Sequence, residues 1–206
     1  LRFRAHARNR AYLGRRCRRA GAAAVVRPRL LLAVSVDLDG IRHYRAAHGV
    51  GGGGEHDAQL VYQRAVPRLV EWARQRHLPL TWFAIGRDVE QPGNAEAVAA
   101  LARAGDELGC HTYSHRYDLT RCSFSEMQAE VLRGAQALER ASGSRVTGFR
   151  APGYMVTDTL LDLLREAGFA YDSSVFPCPS YYALKASALA AMQARRRESQ
   201  AILDVP

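Results

Sequence analysis

The chain has 206 residues, enough for one domain with a real core and little more. With 48% hydrophobic residues its composition is ordinary for a globular protein, and no stretch approaches the roughly 18 apolar residues that a membrane span needs. The formal charge of +9 reflects 29 Lys and Arg against 20 Asp and Glu, but residues 1–29 hold ten arginines and no acid. The remainder therefore sets 19 basic residues against 20 acidic ones, a net of −1, so the basicity belongs to a leader and nucleic-acid binding by the folded body is not expected. Residues 1–29 read as a basic, disordered leader and 30–206 as the catalytic domain. The apolar stretch at 20–26 is interrupted by Arg27, Pro28 and Arg29 and makes a poor secretory signal. The four cysteines (Cys17, Cys110, Cys122, Cys178) form no C-x-x-C pair and read as reduced thiols, in keeping with a cytoplasmic setting.

After the leader, apolar runs alternate with amphipathic ones. Residues 31–36 are short, apolar and β-branched, which predicts a buried strand. Residues 49–54 are glycine-rich, and 41–57 reads as a loop, either drawn over a pocket or inserted at the surface. Helical spacing through Leu60, Val61, Ala65, Leu69 and Trp72 predicts a helix over 58–76, followed by a second strand over 78–85. A helix over 95–104 closes at Gly105, and 107–110 is a short third strand. Ser123 followed by Glu126 is a capping-box pattern that opens a helix to about Ala141. A fourth strand is predicted over 145–149, then a helix over 157–167 closed by Gly168, a fifth strand beginning at 169–171 and a sixth at 201–205. Strands separated by helices imply right-handed βαβ units in a parallel sheet. No glycine fingerprint follows the first strand, so the expected α/β fold is a distorted or incomplete (β/α) barrel, not an open doubly wound sheet.

The residues with chemistry all fall at the C-terminal ends of predicted strands. Asp37 and Asp39 follow the first, His111 and His115 the third, and Arg150 ends the fourth. In a parallel barrel those ends share one face. Each motif has an ordinary explanation by itself: a chance pair of histidines, an aspartate capping a turn, an arginine in a surface ion pair. Their coincidence on one face is what argues for a site. Two imidazoles and a carboxylate are borderline ligands that suit zinc and leave a position open for water. A second carboxylate outside the ligand set can take a proton from water, and Arg150 is long enough to keep such a carboxylate ionised.

On these motifs, the sequence from Leu31 to about Pro206 resembles the polysaccharide deacetylase family with the NodB-homology domain, carbohydrate esterase family 4. Ser35 to Gly40 is similar to the family's first motif in its Asp-x-Asp variant, His111 to His115 matches the His-x-x-Ser-His motif, and Arg150 to Tyr154 resembles the Arg-x-Pro-aromatic motif. The resemblance implies a distorted (β/α) barrel of NodB type. It implies Asp37 as general base, Asp39, His111 and His115 as ligands of a divalent metal, zinc above others, Arg150 as the group that steadies Asp37, and Tyr154 as a substrate-binding residue. It also implies a metal-dependent hydrolase that removes N-acetyl or O-acetyl groups from a polysaccharide. The other functions open to the sequence are hydrolysis of a small amide or cyclic ureide, as in allantoinase-like relatives, and non-catalytic binding through the leader.

The sequence departs from the family pattern in three places. One residue separates Asp37 from Asp39, as in the branch whose members act on exopolysaccharide or on small C–N substrates. Gly153 intervenes before Tyr154 and disturbs the backbone donor expected to hold an oxyanion. The histidine that protonates the leaving amine in the family has no counterpart, because none of His6, His43, His48, His56 or His77 lies in a matching context. The domain is therefore expected to be truncated at its C-terminal end.

Overall fold

The computed structural model describes residues 32–50 and 59–175. The leader, the glycine run at 51–54 and the sixth strand at 201–205 lie outside these residues. Five strands, β1 (Val34–Leu38), β2 (Leu80–Ala84), β3 (Glu107–Cys110), β4 (Gly148–Phe149) and β5 (Tyr171–Asp172), lie side by side in chain order, every pair parallel. Sequential order is how a (β/α) barrel grows, whereas a doubly wound sheet reverses direction partway. Among the described residues the sheet does not close on itself, which is consistent with the distorted or incomplete barrel expected from the sequence.

The helices follow from local signals. Ser123 and Glu126 form the predicted capping box: Ser123 Oγ accepts from Glu126 N at 3.4 Å, and Ser123 N donates to Glu126 Oε2 at 2.9 Å. The resulting helix, Phe124–Ser142, ends at Gly143, whose φ of 69° costs a residue without Cβ little. Thr157 caps Asp158–Glu166, and Asn94–Arg103 lies within a residue of its predicted span. The helix predicted over 58–76 is instead a π turn, Val61–Ala65, leading into Val66–Arg74. Pro67 lacks the N–H that would bond one turn back, and the wider turn sits directly before it.

A correction concerns 41–57. Ile41–His48 is a helix, not a loop, with Tyr44 exposed and its neighbours half-buried. Two turns are too few for periodicity to stand out in a sequence. In chain order the helices are α1 (Ile41–His48), α2 (Val66–Arg74), α3 (Gly86–Val89), α4 (Asn94–Arg103), α5 (Phe124–Ser142) and α6 (Asp158–Glu166). No helix of the described residues is long and apolar enough to cross a membrane. Cys110 and Cys122 are free thiols, and burial pushes Cys110 up to about 12, which keeps it protonated.

The core gathers Trp82, Phe149, Leu38, Leu138 and Leu160 between sheet and helices. At the N-terminal end of the strands Asp106 ties three elements together. It accepts from Leu80 N (3.1 Å), Trp82 Nε1 (3.0 Å) and both terminal nitrogens of Arg74 (3.0 and 2.9 Å). Burial pushes its carboxyl up, but the Arg74, Trp82 and Leu80 donors outweigh that and hold it below the ordinary range. A carboxyl lowered on folding contributes stability that is complete above the ordinary aspartate range and lost as pH falls through the lowered value. Asp106→Ala leaves two buried donors without an acceptor and is expected to cost about 3 kcal/mol in urea unfolding at neutral pH. The difference from wild type should shrink in acid.

Candidate metal centre

The C-terminal end of the sheet brings together every site residue expected from the sequence. Asp37 lies within β1, not after it, and Asp39 follows two residues on. Backbone alternation turns residues two apart to the same side. His111 continues β3, donating its N–H to Ala84 O at 2.9 Å. The chain then turns sharply, with Thr112 and His115 at φ 65° and 61°. Such left-handed geometry is costly for residues with a Cβ and persists only where the surroundings impose it.

Here the constraints are visible on three sides. Thr112 Oγ1 accepts from His115 N at 3.1 Å. The free amides opening α3, Gly86 N and Arg87 N, donate to Thr112 O (3.0 Å) and Tyr113 O (2.8 Å). Glu130 on α5 takes both the backbone N–H (2.8 Å) and the hydroxyl (2.7 Å) of Ser114. The turn rests on α5 at Gly134, where a Cβ would stand 2.7 Å from Thr112 C and 2.8 Å from Cys110 Sγ.

These constraints hold His111 and His115 against Asp39. Asp39 Oδ1 lies 3.5 Å from His111 Nε2 and 3.4 Å from His115 Nε2, and the three donor atoms fall within 4.8 Å of one another. Ligand bonds of about 2.0–2.1 Å at tetrahedral angles put donor atoms roughly 3.4 Å apart, which the two Asp39–imidazole distances match. Asp39 Oδ1 is buried and makes no hydrogen bond in the structure. A buried carboxylate oxygen left so and facing two imidazole nitrogens fits a cation between them. His111 Nδ1 sits 2.7 Å from Arg150 O, which assigns the proton to Nδ1 and leaves the Nε2 lone pair for a ligand bond. Burial pushes His111 down, towards the neutral form that can ligate. Burial pushes Asp39 up, but contact with His115 and the charges of His111, His115 and His43 outweigh it and leave the carboxyl below its ordinary range.

Asp37 stands apart from this trio. Arg150 Nη1 donates to Asp37 Oδ1 at 2.6 Å. The rest of the guanidinium is held by Ser35 Oγ (2.8 Å), Ser173 Oγ (2.7 Å) and Ser173 O (3.3 Å), with the Phe83 ring beneath it at 4.0 Å. The Tyr154 hydroxyl donates to Asp37 Oδ2 at 3.3 Å. Gly153 (φ 67°) and Tyr154 (φ 59°) form a tight turn in which Tyr154 N bonds Ala151 O at 2.9 Å. That amide is thus committed within its own turn, and the aromatic hydroxyl faces the carboxylate instead.

Sequence reasoning missed several neighbours. α1 carries His43 to the centre, its ring 4.7 Å from that of His115 and its Nε2 3.1 Å from Asp88 Oδ2. Arg42 pairs with the same buried Asp88. Reading 41–57 as a loop concealed both residues. Ser35 and Ser173 gave no signal beyond lying at strand ends.

A family model described as polysaccharide deacetylase matches residues 57–171, a stretch that holds both histidines, Arg150 and Tyr154. A peptidoglycan deacetylase of Helicobacter pylori is 27% identical over 148 residues, 71% of this chain and 50% of the relative. A crystal structure from Mycobacterium smegmatis, assigned to the polysaccharide deacetylases, is similar at a TM-score of 0.59 and 29% identity, covering 70% of this chain and 50% of that one. A pseudoenzyme of the CE4 family from Bacillus anthracis shares the fold at a TM-score of 0.51 and 18% identity, over 68% of this chain and 41% of that one. The chain thus spans about half the length of the curated relative it matches.

Gly134→Ala forces the Thr112 backbone away from α5 and is expected to cost about 2 kcal/mol of stability, as overpacking does. Zinc titration of the folded variant should show weaker binding than wild type. Unchanged affinity would mean that the His111–His115 turn does not depend on its seat against α5.

Proposed function

Since the chain belongs to the polysaccharide deacetylase family, we propose that it hydrolyses N-acetyl groups on a glycan, with a divalent cation, zinc by the nature of its donors, held by Asp39, His111 and His115. The observation that carries this reading is the division of labour between the two aspartates: Asp37 bonded to Arg150, Asp39 open towards two imidazoles. The peptidoglycan deacetylase named among the relatives favours a polymer of N-acetylated amino sugars.

A cation at this centre supplies a Lewis acid that polarises a carbonyl and acidifies water. The chain's own residues do the rest. Asp37 is the general base, taking the proton of the attacking water as its oxygen adds to the acetyl carbon. Arg150 occupies Asp37 Oδ1, which leaves Oδ2, the oxygen shared with the Tyr154 hydroxyl, to receive that proton. Return of that proton from Asp37 to the departing nitrogen as the C–N bond breaks gives the free amine of the sugar and acetic acid, which ionises to acetate in neutral solution.

The reading is tested by acetate release from N-acetylglucosamine oligomers, with and without a chelator. Activity should vanish on chelation and return with zinc. Asp37→Asn should keep the cation and lower turnover by roughly a hundredfold or more, the usual scale for a general base. Full activity in that variant would remove Asp37 from the mechanism. Asp39→Ala should instead lose the cation itself, measured as metal content of the purified protein.

A further inference from the structure

The two histidines of the centre are held in different ways. His111 Nδ1 has the Arg150 carbonyl as its partner, the usual means of fixing the plane of a ligand imidazole. His115 Nδ1 is buried and makes no hydrogen bond. With no acceptor to set it, the plane of that ring depends on what packs against it. It meets the rings of His111, Tyr117 and His43, with centroids 5.0, 4.8 and 4.7 Å away. His111 is itself a ligand and Tyr117 is half exposed, whereas His43 is nearly buried.

His43 owes its place to Asp88. Its Nε2 lies 3.1 Å from Asp88 Oδ2 and 3.3 Å from Oδ1, and a carboxylate can only accept, so that nitrogen carries the proton. Arg42, one residue earlier on α1, pairs with the same buried carboxylate. A buried charge resists losing its partners, because separation would leave it uncompensated. The carboxylate has a prepared seat: a Cβ on Gly40, the residue after Asp39, would stand 2.9 Å from Asp88 Oδ2. Asp88 O in turn accepts from the side-chain amide of buried Asn94 at 2.7 Å. α3 thus acts on His115 twice. Its opening amides hold the carbonyls of Thr112 and Tyr113, and its Asp88 holds the ring packed on the imidazole. Arg42 alone would fasten α1 to α3; the imidazole between Asp88 and His115 adds a flat surface that an ion pair does not.

We propose that Asp88 is a positioning residue for the cation: acting through His43, it fixes the plane of the His115 imidazole so that Nε2 faces Asp39. The packed ring takes the place of the acceptor that His115 Nδ1 lacks. This role rests on the metal site of the proposed function and adds to it a dependence of cation affinity on two residues outside the ligand set.

Zinc affinity of the full chain, read by competition with a chromophoric chelator, tests it in His43→Ala, Asp88→Ala, the double variant and Arg42→Ala, each first shown to be folded by circular dichroism. Asp88→Ser replaces Asp88→Ala in the set if the latter does not fold. His43→Ala and Asp88→Ala should each weaken zinc by about tenfold or more, the scale for losing an outer partner of a metal ligand. The double variant should bind no more weakly than His43→Ala, because Asp88 acts only through the lost ring. Arg42→Ala, which loosens α1 at a half-exposed ion pair but keeps the ring, should stay within about twofold of wild type. Wild-type affinity in His43→Ala, additive losses in the double variant, or an Arg42→Ala loss as large as that of His43→Ala would refute the positioning role while the metal site stands. If wild-type protein binds no zinc, or Asp39→Ala binds it as tightly, the metal site itself fails and the role with it.

Discussion

Arg150 joins the two halves of the centre through one residue. Its carbonyl fixes the proton of His111 on Nδ1, and its guanidinium orients Asp37. The side chain is nearly buried, and a buried guanidinium is tolerable only when its donors are met. Meeting them requires Ser35 and Asp37 from β1, the Phe83 face from β2, and Ser173 just beyond β5. Strand order therefore has a chemical consequence. β1 and β5 stand on opposite sides of β4, and Arg150 at the end of β4 reaches towards both. An error in register anywhere across the sheet would leave a charge buried without its partner, so assembly of the Asp37–Arg150 pair and assembly of the sheet are one event.

The histidine turn works by a different kind of constraint. Its two left-handed residues would be unfavourable in an isolated peptide, and local sequence offers no glycine there to relieve them. Tertiary contacts impose the geometry. Glycine appears instead on the surfaces the turn must approach: a Cβ on Gly86 would lie 2.8 Å from Gly134 Cα, and one on Gly134 would meet Thr112. Removing side chains from the scaffold lets the turn keep its own, which include both imidazoles. Strain concentrated beside a binding centre is a common arrangement, because a turn held by many partners cannot relax away from its ligand.

Most of the fold could be read from the sequence, since its strand-helix alternation and caps are local signals. Ser123 with Glu126 and the glycines at 105 and 168 act where their chemistry says they should. Asp37, Asp39, His111, His115 and Arg150 were legible for a different reason: parallel strands carry their C-terminal ends to one face, so motifs far apart in sequence had to meet. The parts that were not legible depend on tertiary contact. α1 is too short to declare itself, and with it His43 and Arg42 stayed hidden, as did the buried Asp88 that anchors them. Ser35 and Ser173 matter only because a guanidinium lies between them, which no local pattern announces. The bond from the Tyr154 hydroxyl to the Asp37 carboxylate likewise depends on the turn at Gly153 and has no local signal.

Fold by itself leaves catalysis undecided, as the Bacillus anthracis pseudoenzyme makes plain: the same architecture occurs there in a protein described as inactive. What bears on activity is that the two aspartates have separate partners. Asp37 is bonded through Oδ1 to a guanidinium, whereas Asp39 Oδ1 faces two imidazole nitrogens and makes no hydrogen bond. A buried acceptor that faces lone pairs fits a cation, while the bonded carboxylate keeps its second oxygen towards the Tyr154 hydroxyl. The two carboxylates are therefore fitted to different tasks by different neighbours, and loss of either set of neighbours would remove that difference.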